Sequence, residues 1–152
     1  MSPAVREARK MRKIAPENLL PDTPSVQPPE IGQCIFCHLN REIIAEARLS
    51  LAVFDSFPVS KGHALVIPRR HVATIWDMTD DEYADAFLLV RTVKDVLRTR
   101  FGVDAFNVGV NCGEVAGQSV WHAHIHVIPR YPGDIPNPKG GVRNIIPGKD
   151  RY

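Results

Sequence analysis

The chain has 152 residues, 44% of them hydrophobic, and a formal net charge of +2, which suits one domain with one core and excludes capture of nucleic acid or an anionic membrane by net field alone. No apolar run approaches the roughly 18 residues that a membrane helix needs, and the N-terminus lacks the apolar segment of a signal peptide, so a cytoplasmic protein acting on a small molecule is expected. Three cysteines are too few for a disulfide framework.

Residues 1–33 read as an N-terminal extension. Arg6, Arg9, Lys10, Arg12 and Lys13 accompany Val5, Ala8, Met11 and Ile14 at helical spacing, which predicts a short amphipathic helix. It is a solvated appendage, a helix docked on a partner subunit, or a basic arm for an anionic partner. Pro21, Pro24, Pro28 and Pro29 then predict an extended linker, because proline cannot continue a helix. A domain over 34–131 opens on Cys34-Ile35-Phe36-Cys37, a thiol pair whose spacing serves metal binding or redox exchange, unless both are simply buried.

The β-prone runs 43–46 and 49–55 predict a hairpin, and 63–67 a third strand stopped by Pro68. A helix is predicted over 77–101: Thr79 and Glu82 form a capping box, and Tyr83, Phe87, Val90, Val93, Leu97 and Phe101 recur at three- and four-residue intervals. Gly102 follows at the position where glycine ends helices. Residues 104–111 predict a fourth strand, 111–117 a glycine-bearing loop and 122–128 a fifth strand. Residues 132–152 form a tail rich in proline and glycine. Hairpin-linked strands and one long helix define an α+β domain with an antiparallel sheet, the helix covering one face.

The fifth strand carries the chemistry. His122, His124 and His126 alternate with Ala123, Ile125 and Val127, and alternate residues of a strand share a face, so the imidazoles line a site while the apolar residues enter a core. A neutral imidazole can attack phosphorus to give a phosphoramidate, dividing one difficult displacement into two easier ones. His124, flanked on its own face by two histidines, is the position best supplied with partners. His126 would donate to a phosphate or bridging oxygen, and Gln118, Ser119 and the amides of the Gly117 loop would bind the non-bridging oxygens. The rival reading is a metal site using the triad as ligands.

His122-Ala123-His124-Ile125-His126-Val127-Ile128 resembles the His-φ-His-φ-His-φ-φ signature of the histidine triad nucleotide-binding proteins, φ being apolar. Cys34 to Cys37, Phe54-Asp55 to Pro58, the run from Gly62 to His71, Asn111 to Gly113 and Ala116 to Ser119 resemble that family's other blocks in the same order. The resemblance implies an α+β half-barrel: a five-stranded antiparallel sheet with one long helix and a short one, paired across a homodimer. It implies a purine nucleotide substrate with a leaving group on its α-phosphate, as in dinucleoside polyphosphates or nucleoside phosphoramidates. His124 falls on the family's nucleophile, Asp55 on the ribose-binding position, and Asn111, Gln118, Ser119 and His126 on the α-phosphate pocket. His63 matches a residue supporting the triad, and Phe54 is a candidate wall for the nucleobase. Asn111 is similar to the phosphoramidase branch whereas Pro129-Arg130 is similar to the fragile histidine triad branch, so the leaving group stays open.

The same resemblance implies a structural zinc held by Cys34, Cys37, His71 and His122, as in many bacterial members, with no dissociable metal needed for catalysis. No added nucleic-acid-binding finger accompanies the domain, so no nucleic acid partner is expected. The alternatives are a nucleotide-binding regulatory module whose hydrolysis is incidental, and a metal-dependent hydrolase in which all three triad imidazoles share one cation.

Overall fold

The computed structural model describes residues 31–147; the expected N-terminal helix, most of the proline-rich linker and the last residues of the tail lie outside the described residues. Five strands form one antiparallel sheet: β1 (Ile43–Glu46), β2 (Ser50–Phe54), β3 (Ala64–Pro68), β4 (Ala105–Gly109) and β5 (Ile125–Arg130), in the order β1-β2-β3-β5-β4. A single long helix, α1 (Asp80–Phe101), links β3 to β4. No helix among the described residues is long and apolar enough to cross a membrane.

Strand alternation divides the sheet into two working faces. Ala52, Ala64, Val66, Ile125 and Val127 point into a core completed by Ala86, Leu89, Val93 and Leu97 of α1. Burying a leucine of this kind contributes about 2–3 kcal/mol, and α1 buries two. Leu51, Val53, Leu65 and Ile67 lie on the opposite face, covered by Cys34 and Phe36 from the segment ahead of β1. That second face also carries the histidines.

The helix begins later than the sequence predicts, and its buried stripe is rotated. Thr79 caps Glu82 while Glu82 reaches back to the cap, so the first helical residue is Asp80. Asp77 instead closes a separate capping box with Thr74 around a 3-10 turn, Ile75–Asp77. The buried residues are Glu82, Ala86, Leu89, Val93 and Leu97, whereas Tyr83 is 39% exposed and stacks on Phe87 with ring centroids 4.7 Å apart. Glu82 tolerates burial because Arg70 grips both its carboxylate oxygens at 2.7 Å. This hydrogen-bonded guanidinium, helped by the Thr79 cap and opposed by burial, brings its pKa down to about 2.

Two glycines are required by backbone geometry. Gly102 ends α1 in the left-handed conformation, as predicted, its N–H donating to the Arg98 carbonyl. Gly62, at φ +86°, lies beneath the Phe101 ring, where a Cβ would come within 2.8 Å. It turns the chain into β3 beside His63.

Candidate active site

β5 is an inner strand: His126 lies opposite Leu65 of β3 on one side and Gly109 of β4 on the other. The regular strand starts at Ile125, so His122 and His124 belong to the extended run entering it rather than to the strand itself. This run is pinned by the Ala123 N–H, which donates to the Val72 carbonyl at 2.7 Å. The alternation survives: the His124 and His126 ring centroids are 5.0 Å apart, and Phe36 meets both His122 and His124 edge-on, while Ile125 and Val127 enter the helix-side core.

Each ring has a different partner, and the partner's chemistry decides which nitrogen carries the proton. His122 Nε2 donates to the Pro68 carbonyl at 2.9 Å, leaving its Nδ1 lone pair near Cys34 Sγ at 3.4 Å and Cys37 Sγ at 3.6 Å. His124 Nδ1 donates to the His122 carbonyl at 2.8 Å, which leaves Nε2 as a lone pair. The Val59 N–H donates to His63 Nδ1 at 3.3 Å, so His63 Nε2 donates to His126 Nδ1 at 3.0 Å. The His126 proton therefore sits on Nε2, a buried atom with no partner among the described residues.

Burial lowers the pKa of His63 and His122; burial, with the like charges of His124 and His63, brings His126 down to about 4. These three rings are neutral near pH 7. An imidazole lone pair on His124 beside an imidazole N–H on His126 pairs a candidate nucleophile with a hydrogen-bond donor. Asp55 borders the same system: Oδ1 accepts the Phe57 N–H at 2.9 Å and Oδ2 lies 3.5 Å from His63 Nδ1. Asn111 follows β4 two residues after Gly109, the residue opposite His126.

Other expected contacts are not where the sequence places them. Phe54 lies on the helix side, its ring 6.0 Å from Phe101 and 5.0 Å beneath the Arg100 guanidinium. Val53 and Leu51 occupy the histidine face instead. Gln118 is 5% exposed and spends its amide on the loop: Oε1 accepts the Gly113 N–H at 2.8 Å, and Nε2 donates to the Ala73 and Val120 carbonyls at 2.7 and 3.1 Å. The Gly117 N–H donates to Glu114, and those of Ala116 and Gln118 to Gly113. Of that loop's phosphate candidates, Ser119 is exposed. Arg130 is held by Asp134 and Asn107. Strand parity would have excluded Phe54, since Asp55 and Val53 share a face; the Val59 N–H and the Pro68 and His122 carbonyls are backbone groups that no residue pattern reveals.

Cys34, Cys37, His71 and His122 bring four ligand atoms within 4.8 Å of one another. Tetrahedral zinc, with bonds of about 2.3 Å to sulfur and 2.0 Å to nitrogen, separates sulfur from nitrogen by roughly 3.5 Å. Here the thiols and the His122 Nδ1 are 3.4 and 3.6 Å apart, and Cys37 Sγ and His71 Nδ1 are 3.2 Å apart. Burial and neighbouring Cys34 push the Cys37 thiol up to about 11, so it stays protonated near neutral pH unless a cation displaces the proton. The second cluster of this kind contains Asp55, His63 and His126. Among the described residues, neither cluster contains all three triad imidazoles.

The structure thus joins a five-stranded antiparallel sheet and one long helix to a row of histidines and a Cys/His cluster. The chain belongs to the HIT domain family, whose model matches residues 38–133. It is 42% identical over 102 residues to the adenosine 5'-monophosphoramidase of Schizosaccharomyces pombe, covering 64% of this chain and 74% of that one. It is 40% identical over 96 residues to the same organism's asymmetrical bis(5'-nucleosyl)-tetraphosphatase, covering 63% of this chain and 53% of that one. A HIT family protein of Bacillus anthracis has the same fold, with a TM-score of 0.63 at 36% identity, over 67% of this chain and 76% of that one. A zinc-bound histidine triad family protein of Mycobacterium smegmatis also gives a TM-score of 0.63, at 30% identity, over 68% of this chain and 79% of that one.

Proposed function

We propose that the protein is a nucleotide hydrolase or transferase that cleaves the α-phosphate bond of a purine nucleotide derivative through a nucleotidyl-histidine intermediate. The observation that carries this reading is the bond from His124 Nδ1 to the His122 carbonyl, which leaves Nε2 unprotonated and available. Nε2 attacks the α-phosphorus, forming a nitrogen–phosphorus bond as the bond to the leaving atom breaks. The His126 Nε2–H donates a hydrogen bond to that atom, which takes its proton from solvent as it departs, and His63 holds His126 in the required tautomer. Water then attacks phosphorus, the nitrogen–phosphorus bond breaks, and the nucleoside monophosphate leaves.

Asp55 is the acceptor for the ribose hydroxyls. Ser119 and Asn111 take the phosphate oxygens. The names of the two fission yeast relatives support both a phosphoramidate and a dinucleoside polyphosphate as substrate class. Zinc at Cys34, Cys37, His71 and His122 is supported by the donor geometry and the zinc-bound mycobacterial relative; bound there, it would neutralise the thiolates and hold His122. The domain spans 34–131, in a cytoplasmic protein. A homodimer through β4 is supported by its place at the sheet edge, where Val108 is 40% exposed and neighbouring Leu88 56%.

The test is acid quenching after mixing with adenosine phosphoramidate or a dinucleoside polyphosphate, followed by intact mass and peptide mapping. Adenylate should appear on His124, and His124→Gly should abolish both adduct and turnover while AMP affinity changes by no more than about threefold. Full turnover in His124→Gly would remove the assignment.

A further inference from the structure

His122 belongs to two systems at once. Its ring Nδ1 faces both thiols, at 3.4 and 3.6 Å, and its backbone carbonyl accepts the His124 Nδ1–H at 2.8 Å. A second thread runs through Phe36, which lies between the two cysteines in sequence and meets the His124 ring at a centroid distance of 5.3 Å and an angle of 66°. A third runs through His71: the next residue, Val72, accepts the Ala123 N–H at 2.7 Å, tying down the peptide that joins His122 to His124. Each segment that supplies a candidate metal ligand also supplies a contact that holds the nucleophile or its support.

We propose that the Cys34–Cys37–His71–His122 cluster, with its metal bound, positions His124, with Phe36 and His71 acting as positioning residues. The proposal rests on the reading of His124 as nucleophile. An imidazole that loses its Nδ1–H acceptor is free to carry its proton on Nε2, the nitrogen that must attack, and free to rotate out of line. Asp55 and His63, on the 55–63 segment, contain no ligand of the cluster. Loss of the metal therefore acts on formation of the covalent bond and spares nucleotide affinity.

The experiment compares full-length wild type, His71→Ala and the ligand-keeping His71→Asp. It reads metal content, single-turnover adduct formation from adenosine phosphoramidate, the dissociation constant of AMP, and the His124 ring tautomer by nitrogen NMR. In His71→Ala, adduct formation should fall roughly 10- to 100-fold, AMP affinity should stay within about threefold, and the His124 proton should spread over both nitrogens. His71→Asp should recover rate and tautomer in proportion to the metal it regains. If His71→Ala does not fold, chelator-stripped wild type below its melting temperature, titrated back with zinc, gives the same readouts. A folded, metal-free protein that keeps both adduct rate and tautomer overturns the proposal. Wild type that forms no adduct on His124 overturns the functional reading beneath it, and with it this proposal.

Discussion

Gln118 separates two accounts of the glycine loop. As a phosphate ligand its loss would weaken substrate binding and leave the fold alone; as a brace its loss must destabilise the domain. Gln118→Ala removes three hydrogen bonds and strands the Gly113 N–H and the Ala73 and Val120 carbonyls, at a position only 5% exposed. A buried hydrogen bond contributes about 1 kcal/mol net, and an orphaned partner costs about 1–3 kcal/mol. With some rehydration through the vacated volume, the expected loss is about 2–4 kcal/mol. For a domain of this size that lowers Tm by roughly 6–16 °C. Gln118→Glu should lose at least as much, because a carboxylate keeps the Gly113 contact but faces two carbonyl oxygens. Thermal melts followed by circular dichroism measure this directly, with kcat and KM alongside. A Gln118→Ala protein melting within about 2 °C of wild type, with KM raised tenfold or more, would refute the brace.

Three further expectations concern other parts of the molecule. Cys34→Ser should purify with well below the roughly one zinc per chain expected of wild type, as read by elemental analysis without chelator; equal zinc contents would leave the thiol without a metal role. Phe54→Ala should cost about 2–3 kcal/mol in urea unfolding by stripping the cover from Phe101, with KM unchanged within about twofold; a large KM effect at unchanged stability would put Phe54 back in the base pocket. Glu82 is an acid depressed in the folded state, so its contribution is full above its ordinary value of 4.5 and disappears as pH falls towards about 2. Screening at the half-exposed Arg70 reduces that contribution to about 1–2 kcal/mol. Glu82→Gln should therefore be less stable than wild type at pH 6, with the gap narrowing below pH 4.5 and closing as pH falls towards about 2; a gap independent of pH would show that the charge is not its source.

The long helix and the existence of the strands are legible because they rest on periodicity, a property of the residues themselves. What fails is phase. Tyr83, Phe87 and Val90 attract attention as the apolar stripe, yet the buried row starts from Glu82, a residue that pattern reading assigns to solvent. The Arg70 guanidinium, twelve residues earlier in the chain, and the Thr79 cap together stabilise the buried carboxylate. Phe54 differs for the opposite reason: the family resemblance makes it a candidate wall for the base, whereas its side chain packs against Phe101 on the helix side, the face opposite its neighbours Val53 and Asp55. Gln118, expected to bind phosphate, spends its amide on the loop; an amide beside a glycine loop looks the same in sequence whether it holds a ligand or the loop.

The triad itself shows where spacing stops informing. Alternation brings His122, His124 and His126 to one side, which the structure bears out, and it treats them as equivalent. They are made unequal by three groups distant in sequence or invisible in it: the Pro68 carbonyl with the cysteine pair, the His122 carbonyl, and His63 backed by the Val59 N–H. The first ring presents Nδ1 to thiols, the second keeps Nε2 as a lone pair, and the third keeps Nε2 protonated. Exchange any two of these partners and the sequence motif would persist while the chemistry vanished, because a ring protonated at the attacking nitrogen cannot attack and a ring without a proton cannot assist departure. The motif supplies the imidazoles; the surrounding backbone decides what each one does.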